Sequence, residues 1–137
     1  MTELTALQAA LAAEQATIYG YGVAGAVLTG ADRTYATTAL AAHTVIRDQL
    51  TALISALGAT PVAAQPAYRL PTPLNDTDEA RALAAQLEQS GAGELWDLVA
   101  ATRPAGHARA LAISWLSDAA VRAAHWGAEP ALPGQPA

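Results

Sequence analysis

The placing of proline constrains this chain more than any other feature. Four stretches whose apolar residues recur every three or four positions are separated by two short breaks and, between the second and third, one long one. That long segment, residues 59–75, carries Pro61, Pro66, Pro71 and Pro73, and a proline inside a helix removes a backbone hydrogen bond and clashes with the preceding turn. Helices in bundles are ordinarily joined by about 2–8 residues, so this segment has a distance to cover. Extended at about 3.1 Å per residue it reaches roughly 50 Å, whereas a helix of about 25 residues is only roughly 38 Å long. It is able to run the full length of a bundle and start the third helix at the opposite end. Short, long, short therefore predicts an all-α four-helix bundle with one long central crossover between helices 2 and 3. No strand-like alternation competes with it.

Each stretch has its own signals. In residues 2–29 the seam reads Leu4, Leu7, Leu11, Glu14, Ile18, Tyr21, Gly25 and Leu28. Gly20, Gly22 and Gly25 mark a kink or a close approach in its middle, and Asp32 is the expected N-cap of the next helix. From residue 33 to 57 the seam is Ala36, Ala39, His43, Ile46, Leu50, Leu53 and Leu57, with Gly58 as C-terminal cap. The third stretch opens on Asp76-Thr77-Asp78-Glu79, a capping-box-like start, and follows Ala80, Leu83, Leu87, Gly91, Glu94, Leu98 and Ala101. An interruption is expected at residues 90–93. After a turn at 102–106, the fourth presents Leu111, Trp115, Asp118, Arg122 and His125, with Trp126 beside them. One domain over 1–127 and a loose proline-rich tail over 128–137 are expected.

Composition excludes several functions. With 137 residues, 53% hydrophobic and only 14% charged, the chain has ample material for one core. The formal charge is −5, with arginine the only strong base and no basic run, so neither nucleic acid nor an anionic membrane finds a footprint. There is no cysteine, hence no disulfide, thiolate metal site or cysteine nucleophile. The first residues are acidic where a signal peptide is basic, and the apolar run 18–28 is too short to span a bilayer. A cytoplasmic protein is expected. Gly20-x-Gly22-x-x-Gly25 has dinucleotide-loop spacing but lies within a helix pattern, so it is not a phosphate cradle.

The informative residues are the ionisable ones on apolar seams: Glu14, His43, Glu94, Asp118 and Arg122. Buried charges need partners, and these side chains are the ones available to one another. A buried polar cluster of Glu14, His43, Asp118 and Arg122 is expected, with Glu14 accepting from His43 and Asp118 pairing with Arg122 at i, i+4. His107 and His125 lie near helix ends and belong to the surface. No nucleophile-and-base arrangement emerges, so no catalytic residue is assigned.

Two segments resemble a known fold family. Glu14-Gln15-Ala16-Thr17-Ile18-Tyr19-Gly20-Tyr21 resembles the first helix of ferritin-like proteins, and Leu57-Gly58-Ala59-Thr60-Pro61 the end of their second. Over residues 3–127 the chain is similar to an alanine-rich, actinobacterial-type family with a ferritin-like domain, a domain of unknown function. A ferritin-like di-metal site takes a Glu from each of two helices and Glu-x-x-His from the other two. Here His43 stands where the second helix's Glu belongs and Ile46 where its His belongs. In the fourth helix Asp118 replaces Glu and Val121 replaces His. The resemblance thus implies at most a mononuclear iron or manganese site from Glu14, His43, Glu94 and Asp118. The expected function is non-catalytic, structural or in interaction, without a cofactor. A metal-dependent oxidoreductase and a small apolar ligand binder are the alternatives. The apolar composition favours a homodimer that covers leftover helix surface.

Overall fold

The computed structural model describes residues 1–128, and the expected tail over 128–137 lies, from 129 on, outside the described residues. It contains four helices, α1 (Glu3–Val27), α2 (Gly30–Ala56), α3 (Thr77–Ala101) and α4 (His107–His125), with no strand among the described residues. Helix ends follow local chemistry. Thr2 caps α1 by accepting from the Thr5 amide at 3.1 Å, and Asp76 caps α3 by accepting from the Glu79 amide at 2.8 Å. After α2, Gly58 adopts φ +78°, the left-handed conformation that a helix C-terminus favours in glycine, and its amide returns to Ser55 O at 2.9 Å.

The long connection crosses over α1. The Gln8 side-chain amide clamps it twice, donating to Thr60 O and accepting from the Val62 amide, both at 2.8 Å. Gln15 donates to Val62 O at 2.9 Å, and further along the Tyr19 and Tyr68 rings meet at 5.7 Å. Leu70 and Leu74 then pack against the apolar cluster at the far end. Successive residues of the segment thus meet successive turns of α1, and α3 starts at the opposite end from where α2 stopped. α1 packs between α2 and α3, α3 packs against α4, and a thinner contact between α2 and α4 closes the four-helix bundle.

Two apolar clusters fill its ends. One joins Leu7, Leu11, Leu50, Ile54, Leu98 and Trp115 with their neighbours. The other joins Tyr21, Leu28, Ala36, Leu83, Leu87 and Trp126 with theirs. At the second end Arg81 of α3 binds Asp32 of α2 at 2.6 Å, donates to His125 O at 3.3 Å and lies 5.3 Å from the Trp126 ring centre.

Three local expectations need correction. α2 begins at Gly30, where φ of +59° reverses the chain directly after α1; the Asp32 carboxylate, expected as a cap, is taken by Arg81 instead. α3 runs without interruption through residues 90–93, since two glycines in a helix otherwise held by packing cost only about 1 kcal/mol each. On α4 the buried line is Ala108, Ala112, Trp115, Ala119, Arg122 and Ala123, so Asp118 and His125 face solvent.

The glycines of α1 differ in purpose. A Cβ on Gly20 would stand 2.5 Å from a Leu87 methyl, whereas Cβ atoms on Gly22 and Gly25 meet nothing within 4 Å. Gly20→Ala is therefore expected to lower stability by about 1–2 kcal/mol through overpacking. Gly22→Ala and Gly25→Ala are expected to raise it by up to about 1 kcal/mol each. Urea unfolding of the three variants reads both signs.

Candidate functional site: a charged layer inside the bundle

Between the two apolar clusters lies a layer of buried polar side chains, with one or more from every helix: Glu14 and Tyr21 from α1, His43 from α2, Glu88 from α3 and Arg122 from α4. Glu14 is 2% exposed, His43 3% and Glu88 1%, so their partners must be found inside the bundle. The His43 ring lies between two carboxylates. Its Nδ1 is 2.5 Å from Glu14 Oε2 and its Nε2 is 2.7 Å from Glu88 Oε1. Arg122 Nε donates to the same Glu88 oxygen at 2.8 Å, and the Tyr21 hydroxyl donates to it at 2.7 Å. Trp126 Nε1 donates to the Tyr21 oxygen at 2.9 Å, extending the chain of bonds to the end of α4.

The electrostatics close on themselves. Burial alone pushes His43 down, but hydrogen bonds to Glu14 and Glu88, and the charge of both carboxylates, outweigh it and raise the pKa to about 9. Burial pushes Glu88 up, yet the His43 hydrogen bond and charge, the Arg122 charge and the Tyr21 hydroxyl hold it below the usual carboxylate value. Burial, then the charge and hydrogen bond of Glu88, hold the Tyr21 phenol well above its usual value. At neutral pH the imidazolium and guanidinium balance the two carboxylates. A neutral layer of this kind avoids the cost of an uncompensated buried charge.

Of the residues singled out on the seams, Glu14, His43 and Arg122 come together. Asp118 does not: it is exposed, and Arg122 pairs with Glu88 rather than with Asp118. Glu94 is half-buried on another face of α3, and Glu88 holds the place that the seam gave to it. The expected metal set of Glu14, His43, Glu94 and Asp118 is therefore not assembled. Glu88 sits on a row with Ala80, Ala84 and Ala92 that repeats every four residues and is wholly buried, but alanines leave such a row unmarked in a sequence. The larger Leu83 and Leu87 drew the seam to Gly91 and Glu94 instead. Tyr21 on the α1 seam and Trp126 beside that of α4 carry no sign in the sequence that they donate within this layer.

The donor set does not suit a metal ion. His43 presents its two nitrogens to carboxylates on opposite edges of the ring, so one cation cannot take both carboxylates and the imidazole together. Arg122 adds a fixed positive charge on Glu88. No group of three or more candidate ligands disposed for a metal occurs among the described residues. A shallow depression of about 370 Å³ lies between α1 and α2 beside Gly22, Gly25, Ala36 and Leu40. At Gly20, where α1 meets α3, Leu87 fills the space.

The family described as Domain of unknown function (DUF4439) matches residues 6–137. The chain is also similar to a conserved hypothetical protein, rv2844, from Mycobacterium tuberculosis: its crystal structure superposes with a TM-score of 0.87 at 34% identity, covering 90% of this chain and 93% of that one. No protein of curated function matches. No helix among the described residues is long and apolar enough to cross a membrane.

Proposed function

The chain belongs to the DUF4439 family, and we propose that it serves as a non-catalytic scaffold of ferritin-like type, with a self-neutralising charged layer in place of a metal centre. What supports this reading is the engagement of both His43 nitrogens by carboxylates from two different helices. An imidazole so held has no lone pair to offer a metal and no free nitrogen to serve as a base. The layer ties the four helices together and fixes their register, a use to which satisfied buried networks are well suited.

A scaffold acts through its outer surface. Val45, Ile113 and Val121 stand 57%, 49% and 67% exposed on α2 and α4, and a cytoplasmic homodimer is the assembly we propose for it. Elemental analysis of protein purified without chelator or affinity metal tests the scaffold reading. Sub-stoichiometric iron and manganese, and no shift in melting temperature on anaerobic addition of ferrous iron, are expected. One equivalent of either metal, lost in His43→Ala, would replace the scaffold with a mononuclear metal protein. A sedimentation coefficient that stays monomeric across the accessible concentration range would remove the dimer and leave the scaffold.

A further inference from the structure

Glu88 is bonded unevenly. Tyr21 Oη, His43 Nε2 and Arg122 Nε all converge on Oε1 at 2.7, 2.7 and 2.8 Å. The other oxygen, Oε2, is buried and has no partner in the protein, and the same holds for Arg122 Nη2. Both orphan atoms belong to one ion pair: Nε and Nη2 sit on the same edge of the guanidinium that, in a two-point contact, would meet both carboxylate oxygens. Here the fork is engaged by one prong only, because Oε1 is held by three donors from three helices.

A buried carboxylate oxygen and a buried guanidinium N–H are costly when left without partners, and buried polar groups are satisfied in the great majority of cases. We infer that this position binds one internal water molecule, which accepts from Arg122 Nη2 and donates to Glu88 Oε2. The chemistry selects it. An anion is repelled by the free carboxylate oxygen, and a metal cation by the guanidinium beside it. What fits is a small neutral molecule that both donates and accepts, and water does so at the least cost in volume. The water is thus a further member of the charged layer, completing its bonds between α3 and α4.

The full chain, crystallised and refined at about 1.2 Å or better so that the carboxylate and guanidinium orientations are beyond doubt, tests this directly. An ordered water within hydrogen-bonding distance of both Glu88 Oε2 and Arg122 Nη2 is expected. In solution, oxygen-17 relaxation dispersion should count one fewer long-lived water in Arg122→Lys, which keeps a cation for Oε1 but withdraws Nη2. A guanidinium turned to bond both Glu88 oxygens, with no density between, would overturn the inference, as would an unchanged water count in folded Arg122→Lys. Should that variant not fold, the wild-type density alone decides.

Discussion

Glu88→Ala is expected to cost about 3–5 kcal/mol of folding stability, the toll of stranding a buried charge, and to be the most damaging single change in the charged layer. Glu88 accepts from His43, Arg122 and Tyr21 at once. Of the two cations it serves, the imidazole is able to shed its proton, but the guanidinium is not. Arg122, 9% exposed, would be left charged with no carboxylate. Glu14→Ala unpairs only one His43 nitrogen and leaves its bond to Glu88; its cost is expected to be smaller, about 1–3 kcal/mol. Urea unfolding of both variants at one pH measures the difference. Equal losses would mean that Glu88 does not carry the Arg122 charge.

Stability is expected to fall as the pH rises from about 6.5 to about 9. His43 has a pKa raised from 6.5 to about 9 in the folded chain. Folding therefore favours its protonated form, and the resulting stabilisation is complete below 6.5 and lost as the pH passes through about 9. At about 1.4 kcal/mol per pH unit the loss is on the order of 3 kcal/mol. Glu88 works in the opposite sense. Its pKa is lowered from 4.5, so its contribution is present above that value and disappears as the pH falls through the depressed one. The two together place maximal stability between about 4.5 and 6.5, on the acid side of neutrality. Chemical denaturation across this range should show the decline in the wild type and its absence in His43→Gln.

The bundle and its crossover were legible because their causes are local or metrical. Prolines at 61, 66, 71 and 73 forbid a helix, glycine at 58 ends one, and the length of the segment sets its reach. The charged layer was legible in part. Glu14 and His43 interrupt rows of Leu and Ile, so their burial shows against large neighbours. Glu88 and the true face of α4 were hidden because their neighbours on the buried row are Ala84, Ala92, Ala112 and Ala119. Alanine suits a helix anywhere, inside or out, and a row of alanines does not declare which side faces the core. Asp118 looked like the partner of Arg122 at i, i+4. The guanidinium instead reaches inward to Glu88, since a buried carboxylate in the core needs it more than an exposed aspartate does.

We propose that His43 is held as an imidazolium between the carboxylates of Glu14 and Glu88, in a layer whose donor set does not suit a metal ion. The most direct measurement is nitrogen-15 NMR of the His43 ring in the full chain, followed across pH. Two protonated ring nitrogens that persist above about pH 8, as its raised pKa requires, are the expected result. A ring that is neutral at pH 7, with one unprotonated nitrogen open to a ligand, would overturn the imidazolium and return a metal centre built on Glu14 and His43 to consideration.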